Sequence, residues 1–448
     1  MAITHLTKAA FTDILGRELS SSHPIKSADH LRGRERQLQA IEQALYTPGR
    51  QVFVYGDRGV GKTSLAWTAA RQYEDGRIAP IYVLCQESST FGAIVRSVVE
   101  QILDNPTNEQ RVTSWKAGLN FKLLGGERSQ QTGTGKVEEV SDINSALNLL
   151  DYVAKHFDQK ALVIVDEFDR IGSKAERTRF AELVKGIADR GIGVRLLFCG
   201  IGRSVTELLE EHASSHRYLE NVLVERLIYG PREEIIKRSA GALGVAVDSD
   251  TTFRIAAVSD GFPHYVHLIC EKLYWAMFNG PAAVKETTPA HYIRGISDAV
   301  RGIEQKLKND YSKATMRNRG DLYEEALWAM ADHQDLQRHR TDIFHSHCRV
   351  REMRNRLQFD PKDFFPLLDK LKSPSFGPML VTPNRFYCEF AENIMRGYVR
   401  LRAEEAGVRL KYDHEPSRDP PRVAVGGVKL RPSPLWERPR PFKEPRGR

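Results

Sequence analysis

The chain has 448 residues, room for roughly two to four domains that each bury a core of their own. Its 41% hydrophobic and 28% charged residues are those of a folded globular protein, and no apolar stretch approaches the ~20 residues of a membrane span. A formal charge of +8 permits contact with nucleic acid without demanding it. Met1 to His5 carry no basic-then-apolar leader, and the five cysteines (85, 199, 270, 348 and 388) are scattered and odd in number. Both features argue for reduced thiols in a cytoplasmic protein with no membrane partner.

Residues 1–29 read as an N-terminal extension. The run Leu31-Arg32-Gly33-Arg34-Glu35-Arg36-Gln37-Leu38 then opens a helical pattern on Leu38, Ile41 and Leu45. Gln51 to Tyr55 form a short strand that runs into Gly56-Asp57-Arg58-Gly59-Val60-Gly61-Lys62-Thr63-Ser64, a G-x-x-x-x-G-K-T loop. Its glycines let consecutive backbone N–H groups face a polyphosphate. Lys62 offers a charge to the β- and γ-phosphates, and Thr63 a hydroxyl to the Mg²⁺ that accompanies them. The helix that starts at Ser64 points its positive dipole end at the same anion. The loop predicts a nucleoside triphosphate with its Mg²⁺, with residues 56–64 as nucleotide contacts.

Residues 104–140, rich in Gly and Gln, interrupt the pattern as a surface insertion. The unbroken apolar run Ala161 to Val165 suits a central parallel strand buried on both faces. It ends in Asp166-Glu167, where open α/β sheets place their ligands. Asp166 would hold Mg²⁺ through its water shell, and Glu167 would activate the attacking water. Asp169 reads as a turn residue. A further buried strand, Val194 to Cys199, ends in a loop carrying Arg203, either a γ-phosphate contact or a solvent-facing side chain. His212 and His216 have helical metal spacing but no acidic or cysteine partner, so a polar face is the better reading. Residues from Pro231 to Met316 are helix-rich. From about Asp413 the chain turns Pro- and Arg-rich with few apolar residues, a disordered basic tail.

On these residues the chain resembles AAA+ ATPases of the origin-recognition initiator type and their relatives, the STAND NTPases. Leu31 to Leu38 resemble the G-R-E-x-x-L box, which implies Gly33 and Arg34 against adenine and ribose. The strand before Arg203 occupies the sensor-1 place; initiators usually carry Asn there, and Arg203 resembles the Arg sensor of STAND proteins. Arg217 falls where initiators carry a finger that reaches a neighbouring subunit's nucleotide, which implies self-association. The second-sensor Arg of an AAA+ lid is missing, and Gly261-Phe262-Pro263 instead resemble the STAND G-x-P motif. Pro263 is then a nucleotide contact, with His264 a second contact or a packing residue. Tyr323 to Ala331, Thr341 to Met353 and Pro361 to Lys372 resemble the three helices of a winged helix, with a wing about Met379 to Val381 and Arg385 to Phe390.

The resemblance implies an α/β fold: a P-loop ATPase core with a parallel sheet (30–228), a helical lid (229–316), a winged helix (317–410) and a tail (411–448). It implies an ATPase whose catalytic set is Lys62, Glu167, Arg203 and Arg217. Losing one cation from the site makes slow or partner-dependent hydrolysis the expectation. One output is a DNA-associated process, with duplex DNA held by Arg338, Arg340, Arg349, Arg351, Arg354, Arg356 and the tail. The other is a signalling scaffold with ATP as its switch, in which those arginines solvate a helix or dock on the core. A small-molecule kinase would leave lid and winged helix without a role.

Overall fold

The computed structural model describes residues 3–411 except 4, 21–22, 74–79, 104–139, 141, 157–161, 203–204, 206–216, 282 and 317–319. The expected insertion (all but Val140), the tail beyond Lys411, Arg203, His212 and His216 therefore lie outside the described residues.

Strands β1 (Gln51–Tyr55), β2 (Ile81–Leu84), β3 (Leu162–Asp166), β4 (Arg195–Gly200) and β5 (Leu219–Leu223) form one sheet. Every pairing is parallel, in the order β2-β3-β4-β1-β5. Alternate residues feed two cores. Val52, Val54, Ile164 and Leu197 pack with α2 (Glu35–Tyr46) and α3 (Lys62–Tyr73). Phe53, Val163, Val165 and Phe198 pack with α4 (Phe91–Leu103), α5 (Ile143–His156) and α6 (Lys174–Arg190). Cover on both faces is why these strands read as continuous apolar runs. Local signals set the helix ends: Ser173 caps the Glu176 N–H, and Gly191 closes α6 in the left-handed conformation. Because β4 lies between β1 and β3, the loop after β1 and the carboxylate ending β3 flank the carboxyl end of β4.

Helices α7 (Tyr229–Ala242), α8 (Ser249–Val258), α9 (Pro263–Phe278), α10 (Pro289–Gly302) and α11 (Gln305–Thr315) follow. Proline in the first turn starts both α9 and α10, where a missing N–H costs nothing. Helix α9 is apolar nearly all round and buried accordingly. The N-terminal extension docks here, as α1 (Lys8–Glu18) brings Phe11 within 4.9 Å of Trp275 and 4.3 Å of Phe278.

The C-terminal module runs α12 (Gly320–Ala331), β6 (Arg338–His339), α13 (Arg340–Met353), α14 (Pro361–Lys370), β7 (Leu380–Val381) and β8 (Tyr387–Phe390). Its sheet is antiparallel in the order β6-β8-β7. This is the helix–strand–helix–helix–strand–strand order of a winged helix. Helix α15 (Asn393–Glu405) returns to α9: a Cβ on Gly397 would lie 2.2 Å from the Tyr265 ring, so glycine permits the contact. The Tyr265 hydroxyl donates to Ile394 O at 2.8 Å. Asp260, held at φ 54°, gathers Arg226 at 2.8 Å, Arg400 at 3.1 Å and Arg396 at 3.4 Å. Burial pushes its carboxyl up, but these arginines and Arg232 hold it below the ordinary value.

The arginines between 338 and 356, which the sequence leaves open to DNA contact or to solvating a helix or docking on the core, are mostly engaged within the module. Arg351 and Arg354 both bind Glu325, which is 1% exposed, and Arg349 binds the buried Asp332. Arg338 is buried and donates to Ala329 O and the Ser346 hydroxyl, Arg356 pairs with Asp321, and Arg340 stacks on Phe365 and Phe386. Carboxylates on α12, distant in sequence, claim charges that along α13 read as a basic surface. These pairs lie inside the module, not against the ATPase core.

Candidate nucleotide site

The loop from β1 to α3 is shaped by glycine. Gly56 takes φ 154°, and a Cβ there would lie 2.2 Å from Val224 O. Gly59 takes φ 82°, and a Cβ would lie 2.7 Å from Ile394 of α15. Lys62 arches back, with Nζ donating to Gly56 O at 3.0 Å and Asp57 O at 2.9 Å. Burial pushes its ammonium pKa down while nearby carboxylates oppose the shift.

Asp166 is 3% exposed and is held on three sides. The Thr63 hydroxyl donates to Oδ2 at 2.8 Å, the Tyr82 hydroxyl donates to Oδ2 at 2.9 Å, and the Glu167 N–H donates to Oδ1 at 2.8 Å. A hydroxyl and a carboxylate in contact are the hard oxygen donors that Mg²⁺ prefers, so this pair fits the metal. Burial, followed by the Asp166 charge, pushes the Tyr82 phenol far above its ordinary range, so it stays a donor. Glu167 is left-handed at φ 51°, and its carboxylate is turned to Arg170 at 2.6 Å.

Arg34 does not offer a free guanidinium to a base. It is 4% exposed and donates to Val60 O at 3.0 Å and Glu225 O at 2.6 Å, which braces the loop from behind. Desolvation lowers its pKa to about 10. Gly33, at φ 66°, lies against Pro231. Pro263, first residue of α9, sits where a Cβ on Gly61 would be 3.9 Å from its Cγ. Arg34 and Pro263, with Asp57 to Ser64, Asp166, Glu167 and His264, surround one cavity of about 1160 Å³, room for a nucleoside triphosphate; Gly33 and Gly56 are not in its lining. Arg217 is not among them. It is exposed just before β5, whose Leu219 is in register with Gln51, at the sheet end away from the loop.

Several lining residues escaped the sequence reading. Tyr82 stands in no motif of the sequence. Ser20, His23 to Ile25 and His30 to Arg32 form a wall, tied down where the Ile25 N–H donates to the Ser64 hydroxyl at 3.0 Å. The lid and C-terminal module close another side. Arg58 pairs with Glu304 at 2.8 Å and Glu392 at 3.6 Å, Lys306 pairs with Glu392, and Asn393 Nδ2 donates to Asp57 Oδ2 at 3.1 Å. Burial raises the Glu389 carboxyl beside them. No local motif marks a contact made across more than 240 residues of chain.

Comparison with known proteins matches residues 30–197 to the AAA ATPase domain family. No curated protein matches the chain. Among solved structures, the chain is similar to a Walker-type ATPase of Pyrococcus abyssi, with 15% identity over 84% of this chain and 98% of that one at a TM-score of 0.48. It is similar to Cdc6p of Pyrobaculum aerophilum, with 15% identity over 90% of this chain and 99% of that one at 0.42. It is also similar to the ORC2 protein of Aeropyrum pernix, with 12% identity over 87% of this chain and 98% of that one at 0.45. The five-stranded parallel sheet and its phosphate loop agree with the match of residues 30–197 to the AAA ATPase domain family.

Proposed function

We propose that the chain is an ATP-driven conformational switch of the origin-recognition initiator type, with a core at 30–228, a lid at 229–316 and a winged helix at 317–410. The observation that carries this reading is the seam at Asp57 and Arg58. The loop that would wrap the phosphates is held by Glu304 at the lid's last helix and by Glu392 and Asn393 of the C-terminal module. A triphosphate entering beside Asp57 adds negative charge among Glu304, Glu389 and Glu392. Nucleotide binding and the docking of the C-terminal module are thereby coupled through like-charge repulsion and through the Arg58 pairs.

In this reading Lys62 leaves its two carbonyls for the β- and γ-phosphates, and the N–H groups of 56–64 cradle the same oxygens. Thr63 and Asp166 would hold Mg²⁺, which neutralises charge on the phosphates. Tyr82 and the Glu167 N–H keep the Asp166 carboxylate oriented. Glu167 would orient and deprotonate water after releasing Arg170, a rearrangement that makes basal hydrolysis slow. Arg34 and Gly33 position the loop, Pro263 and His264 line the lid side, and Arg203 would sense the γ-phosphate. Arg217 would act on the site of a second copy, since its place on the sheet keeps it from its own.

The output we propose is a DNA-associated process in the cytoplasm, with the tail, Arg340 at the start of α13 and Arg385 of the wing as the basic groups. A second reading, a signalling scaffold without DNA, is favoured by the internal pairing of Arg349, Arg351 and Arg354. ATP turnover measured with and without duplex DNA, with gel shifts across a salt series, separates the two. Stimulated turnover and salt-dependent binding support the first reading. No affinity at low salt with ATP present leaves the scaffold.

A further inference from the structure

The cavity lining is of two chemical kinds. Glycine backbone, Lys62, Thr63 and Asp166 suit an anion and its cation. Pro24 and Ile25 of the N-terminal strap, Leu227 and Ile235 supply apolar surface suited to the flat face of a base. One buried polar group lines the same cavity. His267, in the second turn of α9, lines the cavity and is 3% exposed. Its Nδ1 accepts the backbone N–H of Ser20 at 3.3 Å. An accepting Nδ1 places the ring hydrogen on Nε2. Burial, with His264, His23 and His30 as further causes, pushes the imidazole down to about 4, so this neutral tautomer persists at physiological pH. Nε2 is buried and finds no partner among the described residues. A buried donor left unmet is costly and calls for an acceptor.

Building on the nucleotide reading above, we propose that His267 reads the nucleobase. Its Nε2–H donates to a ring nitrogen of a purine, and Ser20, on the N-terminal strap, is the positioning residue that fixes the tautomer. The N-terminal extension thereby becomes part of the binding site, although it precedes the ATPase domain in sequence. Its anchors are the Ile25–Ser64 bond and the reciprocal bond from the Thr68 hydroxyl to Ile25 O at 3.4 Å. A ligand with the phosphates but no base would not engage this donor.

The test compares Mg²⁺-ATP with Mg²⁺-tripolyphosphate binding to the full chain. His267→Phe keeps an aromatic ring without the donor, and His267→Gln keeps an N–H near the Nε2 position. The Phe variant is expected to bind ATP about tenfold more weakly and tripolyphosphate as the wild type does; the Gln variant should stay within about threefold. One of 1-deaza-, 3-deaza- or 7-deaza-ATP should show the same loss on the wild type, and no further loss on the Phe variant. If that variant fails to fold, the deaza series on the wild type decides. Equal affinity for ATP and all three analogues overturns the proposal, as does an unchanged ratio of ATP to tripolyphosphate affinity in a folded Phe variant. A wild type that binds tripolyphosphate but no ATP better than it removes base recognition, whereas one that binds neither removes the nucleotide reading and this proposal with it.

Discussion

The phosphate loop and helix α13 both look, along the chain, like places built to meet phosphate. In the folded molecule only the first is open to a ligand. The loop's donors are backbone N–H groups set by glycine dihedrals, and nothing distant in sequence can consume them without refilling the cavity. The arginines of α13 are long side chains, and carboxylates on α12 reach them first: Glu325 takes Arg351 and Arg354, and Asp332 takes Arg349. A motif that fixes backbone geometry carries its chemistry with it. A run of charge acquires its meaning only from what packs against it.

The largest expected effect lies on the loop side of this contrast. Lys62→Ala removes the side-chain cation that the loop supplies to the β- and γ-phosphates and should take ATP affinity below detection by calorimetry in a folded protein; unchanged affinity would move the site elsewhere.

Acidification probes both regions, because each is flanked by a buried neutral histidine, His267 in α9 and His347 in α13. Burial lowers both to about 4 from an ordinary 6.5. The unfolded chain takes up protons that the fold refuses, so stability is lost as pH falls below about 6.5 and the loss levels off near 4. Full titration is worth roughly 3 kcal/mol per histidine. Thermal melts that hold level between pH 6.5 and 4.5 would show that these rings titrate freely.

On the α13 side, Arg351→Gln should destabilise by about 1–3 kcal/mol, because the buried Glu325 carboxylate loses one of its two arginines and keeps Arg354. A melt shifted by less than a degree or two, together with a flattened salt dependence of DNA binding, would return these arginines to a DNA-facing role. Glu167→Gln should leave ATP binding intact and cut turnover by ~10²-fold. Retained turnover would make Asp169 the next base to test. Arg217→Ala, the smallest effect, should leave ATP binding by the isolated chain within about twofold and lower turnover only where chains associate. An equal loss at every protein concentration would argue against action on a second copy.

The elements themselves were legible to a large degree. The loop, the β3 carboxylate and the order of the last three helices and two strands follow from glycine spacing, apolar runs and turn residues that act locally. What was not legible depends on contacts between distant segments. Tyr82 reaches Asp166 only because β2 pairs with β3 in register. Asp260 becomes a junction because α15 brings Arg396 and Arg400 to it. Ser20 and His23 to Ile25 of the strap carry no motif, and their place is set by bonds to His267, Ser64 and Thr68.

The central claim is that Lys62, Thr63 and Asp166 form a Mg²⁺-ATP site. Calorimetric titration of the wild-type chain with ATP, in Mg²⁺ and then in excess EDTA, tests it directly. Binding of one ATP per chain that weakens at least tenfold when Mg²⁺ is removed is the expected result. Absence of binding, or the same affinity in both conditions, would contradict it.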